Sequence, residues 1–273
     1  MRGRQFLLPV LLYQVVFLQD VFGYPGDKTT NNKIVGGRYI SIEDVPFQAF
    51  VLTDTNTCGG VIYSEKIVLT AAHCLVDSNI AQVRVGFNNW GDSEEEYPYR
   101  NGTMIVHEKY NNPGKNTNFD FDVALIKLLE KLIFDGVRIA KASFPEPGEQ
   151  IADGTNCTVS GWGAISEGYP ASEYLKAGFV ETVNYEKCLK SYKKYLTPRM
   201  ICALSPFPSY RYRFSNVCRG DSGGPIFVTA TMKVIGLTSF LRNCDSDQSP
   251  AVFTSLLNVQ IREWIKNHTM SKN

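Results

Sequence analysis

The chain has 273 residues, 44% of them hydrophobic and 20% charged, with a formal net charge of +1. This is an ordinary globular balance on a length that admits one large domain or two small ones. The near-zero charge leaves no electrostatic footprint for nucleic acid or an anionic membrane. At the start, Arg2 and Arg4 precede an apolar run from Phe6 to Leu18, broken by Gln14. That run is too short to span a bilayer and reads as a secretory signal over residues 1–23, cleaved after Gly23. No later stretch is apolar enough to cross a membrane, so a soluble, secreted chain is expected. Residues 24–33, "YPGDKTTNNK", are polar and aperiodic and read as a short propeptide. From Ile34 onward short strands alternate with turns. "FQAFVL" comes first, then "GGVIYSEKIVLTAAHC", which is two strands around a turn at Ser64-Glu65-Lys66. "QVRVGF", "GTMIVHE", "FVETV", "PIFVTA" and "KVIGLTSF" continue the pattern. Many short strands imply an all-β barrel or sandwich. The helical exception is the end, where Leu257, Ile261, Trp264 and Ile265 recur at helical spacing over residues 255–268.

In a secreted chain, cysteines are read as disulfide partners. There are seven, Cys58, Cys74, Cys157, Cys188, Cys202, Cys218 and Cys244, so one is left over or pairs with another molecule. They lack the tight paired spacing of a zinc site. Sequons at Asn101, Asn156 and Asn267 suit the same compartment as glycosylation candidates.

The chemistry centres on "SNVCRGDSGGP", residues 215–225. Alone it is a glycine-rich turn. The chain has three histidines: His73 in "LTAAHC", His107 in "IVHEKY" and His268 in a polar tail. A histidine base needs an orienting partner and a nucleophile within reach. "DVALIKL" places Asp122 ahead of an apolar strand, where a buried carboxylate needs a partner. Ser222 follows a turn with glycines on both sides.

Together "TAAHC", "DVALIKL" and "GDSGGP" resemble the three active-site signatures of the chymotrypsin-like serine proteases. "KIVGG" at 33–37 resembles their activation site, "VSGWG" at 159–163 is another family marker, and "SPAVFTSL" fits before the terminal helix. The resemblance runs from Ile34 to about residue 267. It implies two six-stranded antiparallel β-barrels with a C-terminal α-helix, in one protease domain over 34–273. It implies that Ser222 attacks the scissile carbonyl, His73 takes and returns the proton, and Asp122 fixes the imidazole. The N–H groups of Gly220 and Ser222 would form the oxyanion hole. Asp120 stands two residues early for the motif, and His107 reads as a strand or surface residue. Cleavage after Lys33 would free an ammonium on Ile34 to pair with Asp221.

The resemblance pairs Cys58 with Cys74, Cys188 with Cys202, and Cys218 with Cys244. Cys157 often has a partner six residues beyond the nucleophile, but Val228 stands there, so Cys157 is expected as a free thiol. No cofactor or metal is implied, and the acidic run Asp92, Glu94, Glu95 and Glu96 reads as a solvated loop. The expected partners are protein or peptide substrates, an activating trypsin-like protease and protein protease inhibitors, with the chain a monomer.

The primary pocket departs from trypsin. Asn216 occupies its base, where trypsins carry Asp, and an uncharged amide cannot offset a buried substrate cation. Val217, Leu241 and Ala251 are its walls, and Ser239 and Phe240 lead into Leu241, which stands where trypsins and chymotrypsins have Gly. The expectation is an endopeptidase with a restricted, uncharged pocket for small or medium apolar residues. Its alternative is a protease-like binding or regulatory protein whose obstructed pocket allows little turnover. Arg219 and Arg242 border the cleft and, unless merely solvated, favour acidic residues flanking the cut.

Overall fold

The computed structural model describes residues 35–110, 118–209 and 214–270. The segments expected as signal and propeptide, with Lys33 and Ile34, lie outside them. A two-residue strand, β1 (Arg38–Tyr39), precedes six strands: β2 (Gln48–Thr53), β3 (Thr57–Ser64), β4 (Ile67–Thr70), β5 (Ala81–Val85), β6 (Arg100–Val106) and β7 (Ala124–Leu128). These close into a barrel in the order β2-β3-β4-β7-β6-β5.

The second half supplies β8 (Asn156–Gly161), β9 (Lys176–Val183), β10 (Met200–Leu204), β11 (Pro225–Val228), β12 (Val234–Phe240) and β13 (Ala251–Ser255). The β8–β9 pairing closes the run β9-β10-β13-β12-β11-β8 into a second six-stranded barrel, and β1 adds to the outside of β9. All the pairings are antiparallel. The fold is the two-barrel arrangement expected, with a C-terminal helix.

Closing a sheet turns one strand face inward and abolishes the edges. The short apolar strands follow from this. In β7 only Lys127 points to solvent, while Ala124, Leu125, Ile126 and Leu128 are buried. Each barrel has its own cluster, around Val51, Ile62, Val83 and Ile126 in the first and Val159, Val180, Ile226 and Phe253 in the second. A third cluster, with Phe50, Leu125, Trp162, Phe227 and Trp264, contains side chains of both halves. The Phe87 and Trp162 rings stack there at 4.5 Å.

The terminal helix, α2, spans Val259–Thr269, starting later than the apolar spacing implies because Asn258 caps it by accepting from the Gln260 and Ile261 N–H groups. The sequence reading missed a second helix, α1 (Tyr185–Tyr192), capped by Asn184. It is two turns long and Lys-rich, too short for the helical period to show, and the Cys188–Cys202 disulfide ties it to β10.

Candidate active site

His73 lies in a single 3₁₀ turn, Ala72–Cys74, just after β4. The Cys58–Cys74 disulfide links that turn to β3. Asp122 lies two residues before β7, which pairs with β4, so adjacent strands of the first barrel deliver both groups. Asp122 is fully buried. Its Oδ1 accepts the His73 backbone N–H at 2.9 Å, and its Oδ2 lies 2.8 Å from His73 Nδ1. Ser239 Oγ donates a further short bond to Oδ2, and Thr254 Oγ1 donates to the Asp122 carbonyl at 2.7 Å. A buried carboxylate with this many donors is held in one place and fixes the imidazole in one tautomer. Burial pulls the His73 pKa down, the charge of Asp122 and its hydrogen bond push it up, and the net displacement is upward.

Phe121 precedes this carboxylate at φ 55°, a left-handed conformation that costs a non-glycine residue about 1 kcal/mol or more. Packing holds it there, with the His107 ring 4.5 Å from its ring and the Arg199 guanidinium 4.6 Å from it. Asp120 is committed elsewhere: it forms a two-point pair with Arg199 and accepts from Thr197 Oγ1 at 2.8 Å. The geometry therefore gives His73 to Asp122. Of the two settings expected for His107, strand or surface, it takes the first, directly after β6. It is 4% exposed, between the Phe121 and Trp264 rings. Its Nδ1 accepts the Lys109 N–H, and burial lowers its pKa.

Ser222 sits in the turn before β11. Its carbonyl accepts from Gly59 N at 2.8 Å, which ties the turn to β3 beside Cys58. Gly223 N donates to the Thr238 carbonyl at 2.7 Å, and Thr238 N to the Gly224 carbonyl at 2.8 Å. Gly220, at φ 94°, turns the chain where an L side chain is strained. Among the described residues the Gly220 and Ser222 N–H groups donate no hydrogen bond, and none joins Ser222 Oγ to His73. Two undirected backbone donors beside a serine suit an arriving oxyanion. Catalytic hydrogen bonds often tighten only on the substrate.

Asp221 is 1% exposed and accepts from Gly163 N at 2.8 Å and Cys218 N at 2.9 Å. Burial lifts its pKa to about 6 against those two bonds. The "VSGWG" glycines have a physical reason here. A Cβ on Gly163 would stand 2.5 Å from both carboxylate oxygens, and one on Gly161 would stand 2.2 Å from Oδ1.

Asn216 is 1% exposed, bridges Val35, and turns its Oδ1 onto the Val217 N–H. Its Nδ2 has no partner among the described residues. Val217 and Ala251 are buried in one cluster against which Leu241 packs, and Leu241 also packs on the Cys218–Cys244 disulfide. Phe240 stacks on Phe119 at 4.9 Å, and Phe119 meets the His73 ring at 5.8 Å. Ser239, expected at the pocket, also donates its hydroxyl to Asp122. Arg219, at 84% exposure, has Glu167 3.8 Å away.

Cys157 is free and buried, in register opposite Val228, and burial raises its pKa to about 12. Asn101, Asn156 and Asn267 are all exposed. Among the described residues, the two groupings of metal-type ligands, Cys58–His73–Cys74 and Glu167–Cys218–Cys244, rest on disulfide sulfurs and offer no thiolates. In the acidic loop, Asp92 accepts from the Asn88 and Asn89 N–H groups. There the buried Arg84 donates to the Asp92 and Tyr97 carbonyls and lies over the Phe87 ring.

A buried carboxylate fixing an imidazole beside a serine-bearing turn, on two antiparallel barrels, defines a serine hydrolase of the two-barrel kind. The trypsin family model matches residues 34–265, and the chain belongs to the trypsin family of serine proteases. It is 31% identical to Trypsin 5G1 of Aedes aegypti over 87% of this chain and 85% of that one. It is 33% identical to Hypodermin-B of Hypoderma lineatum, over 88% and 89%. The solved structure of neuropsin, a serine protease expressed in the limbic system of mouse brain, superposes with a TM-score of 0.75 at 26% identity, covering 86% of this chain and 99% of that one. The protein is a serine endopeptidase acting on protein substrates.

Proposed function

We propose that this endopeptidase is secreted as a zymogen, is activated by cleavage after Lys33, and cuts after small or medium apolar residues. In this reading Ser222 Oγ attacks the scissile carbonyl and His73 Nε2 takes its proton. The carbonyl bond opens onto the Gly220 and Ser222 N–H groups. His73 then protonates the leaving amine as the C–N bond breaks, leaving an acyl-enzyme. Water, deprotonated by His73, releases the acid and restores Ser222. Asp122 stays ionised throughout and stabilises the imidazolium. The observation that carries the assignment is the double hold of Asp122 on His73, through the ring and the backbone.

The pocket reading rests on an uncharged Asn216 beneath Leu241 packed on the Cys218–Cys244 disulfide. The activation reading rests on Asp221, a buried carboxylate with two backbone donors and no charged partner among the described residues. Trypsin-treated protein should take up one fluorophosphonate at Ser222, and Lys33→Gln should take up none. No labelling after correct cleavage would favour a binding protein without turnover. Efficient cleavage after Arg would overturn the pocket reading alone.

A further inference from the structure

Helix α1 and the residues behind it carry unbalanced charge. From Asn184 to Pro198 the chain has Lys187, Lys190, Lys193 and Lys194 against one acid, Glu186, in a protein whose net charge is only +1. All four lysines are exposed. None forms an ion pair among the described residues, whereas nearby Arg199 is held by Asp120. Lys187 borders a recess with Asp153 and Glu181, which offset it.

The ordinary explanation is the helix dipole, which favours cations at a C-terminus by roughly 0.3 to 1 kcal/mol. It fits Lys190, but it does not explain Lys193. That residue caps the helix at φ 48° and ψ −123°, a conformation that glycine adopts freely and a lysine adopts under strain. A lysine thus stands where the backbone favours no side chain.

This basic face connects with the cleft. Tyr192, the last residue of α1, meets the Phe240 ring at 5.3 Å. Phe240 stacks on Phe119 at 4.9 Å, and Phe119 meets His73 at 5.8 Å. The exposed Arg242, one residue beyond Leu241, holds its guanidinium 5.5 Å from the Tyr192 ring. The buried Tyr192 thus ties the lysine-bearing end of α1 and the exposed Arg242 to the same wall of the cleft. The three ring-to-ring steps reach at most about 16 Å, the span of about five extended residues.

We propose that Lys190, Lys193 and Lys194, with Arg242, bind an acidic stretch of the polypeptide being cut, about five residues from the scissile bond. The proposal rests on the cleft described above. Continuity with that cleft favours the substrate's own chain over a free polyanion, which has no need of it.

The test uses two peptides that share one cleavage sequence. One carries four glutamates starting about five residues from the cut, and the other carries Gly-Ser there; both are made with the block upstream and with it downstream. The readout is the ratio of kcat/KM for the acidic to the neutral peptide, so a general loss in a variant cancels. For the activated native protein at low salt, one placement should give a ratio of about ten, because several exposed pairs each add a modest gain. The ratio should fall towards one as salt approaches about 1 M, where the Debye length is about 3 Å. The triple variant Lys190→Gln, Lys193→Gln, Lys194→Gln should lose most of the enhancement. Lys193→Gly, which also relieves the backbone, should lose part of it.

A ratio of one in native protein that cleaves both peptides would overturn the exosite and leave the cleft standing. Failure to cleave either would instead refute the reading of the cleft. Lysine-dependent heparin binding with a ratio of one would assign the lysines to a polysaccharide and also overturn the proposal.

Discussion

The Asp221 carboxylate gives the activation reading a measurable size. Burial lifts its pKa from 3.8 to about 6 in the uncut chain, and that difference corresponds to about 3 kcal/mol. The direction follows from which state holds the proton. Below about pH 3.8 the carboxyl is protonated whether the chain is folded or not, and it costs the fold nothing. Between there and about pH 6 the folded chain retains a proton that the unfolded chain releases, so stability falls as pH rises. Above about 6 the uncut fold carries the full penalty of an ionised, uncompensated group. Cleavage after Lys33 would supply an ammonium and remove it. The assay is urea unfolding of Ser222→Ala, which cannot digest itself, with and without Asp221→Asn, before and after trypsin treatment. In the uncut pair, the stability difference should change by about 2.4 kcal/mol between about pH 4 and about pH 7. In the cut pair it should change far less. If the uncut pair shows no such pH dependence, or cleavage leaves it unaltered, Asp221 is not the receptor for a new ammonium.

Three further outcomes are expected. Arg84→Met should lower stability by about 2 to 4 kcal/mol in urea unfolding, because the Asp92 and Tyr97 carbonyls lose a charged donor; an unchanged midpoint would mean that the loop is held elsewhere. Cys157, with its pKa raised to about 12, should resist iodoacetamide in the native protein at neutral pH. Cys157→Ala should keep its activity and cost about 1 kcal/mol, whereas a mapped bridge or a lost activity contradicts the free, inert thiol. Leu241→Gly should raise kcat/KM on Phe peptides relative to Ala peptides by about 10- to 200-fold; an unchanged ratio would show that Leu241 does not limit the pocket.

The barrels were legible because short, alternating strands and their turn residues repeat along the chain, and a closed sheet is the way such strands lose their edges. His73, Asp122 and Ser222 stood out because "TAAHC", "DVALIKL" and "GDSGGP" together resemble the signatures of one family, each in a local setting suited to its expected role. What supports them did not. Ser239 and Thr254 stand 117 and 132 residues from Asp122, and nothing local marks a serine or threonine as its donor. Asp120 differs from Asp122 by two positions, yet the two face different partners because Phe121 between them takes φ 55°. That angle comes from the packing of Arg199 and His107 around its ring, which are long-range contacts. Helix α1 was hidden for another reason: its stability comes from the Asn184 cap and from Cys188 and Tyr192 on its buried side, too few positions to make a period.

If Asn216 forms the base of the pocket as proposed, it favours short side chains on grounds independent of Leu241. Asn216 turns its oxygen onto the Val217 N–H, which leaves Nδ2 as a buried donor without a partner among the described residues. Such a donor costs about 1 to 3 kcal/mol if nothing satisfies it. A long apolar side chain that reached the base would shut the donor in against carbon. Ala or Val would stop short and leave room for a water to bridge it. In the proposed pocket the amide would penalise length and Leu241 would penalise width. Leu241→Gly would relieve only the second penalty, so Leu241→Gly should retain part of the proposed discrimination against Phe, and the double variant Leu241→Gly, Asn216→Ala should lose more of it.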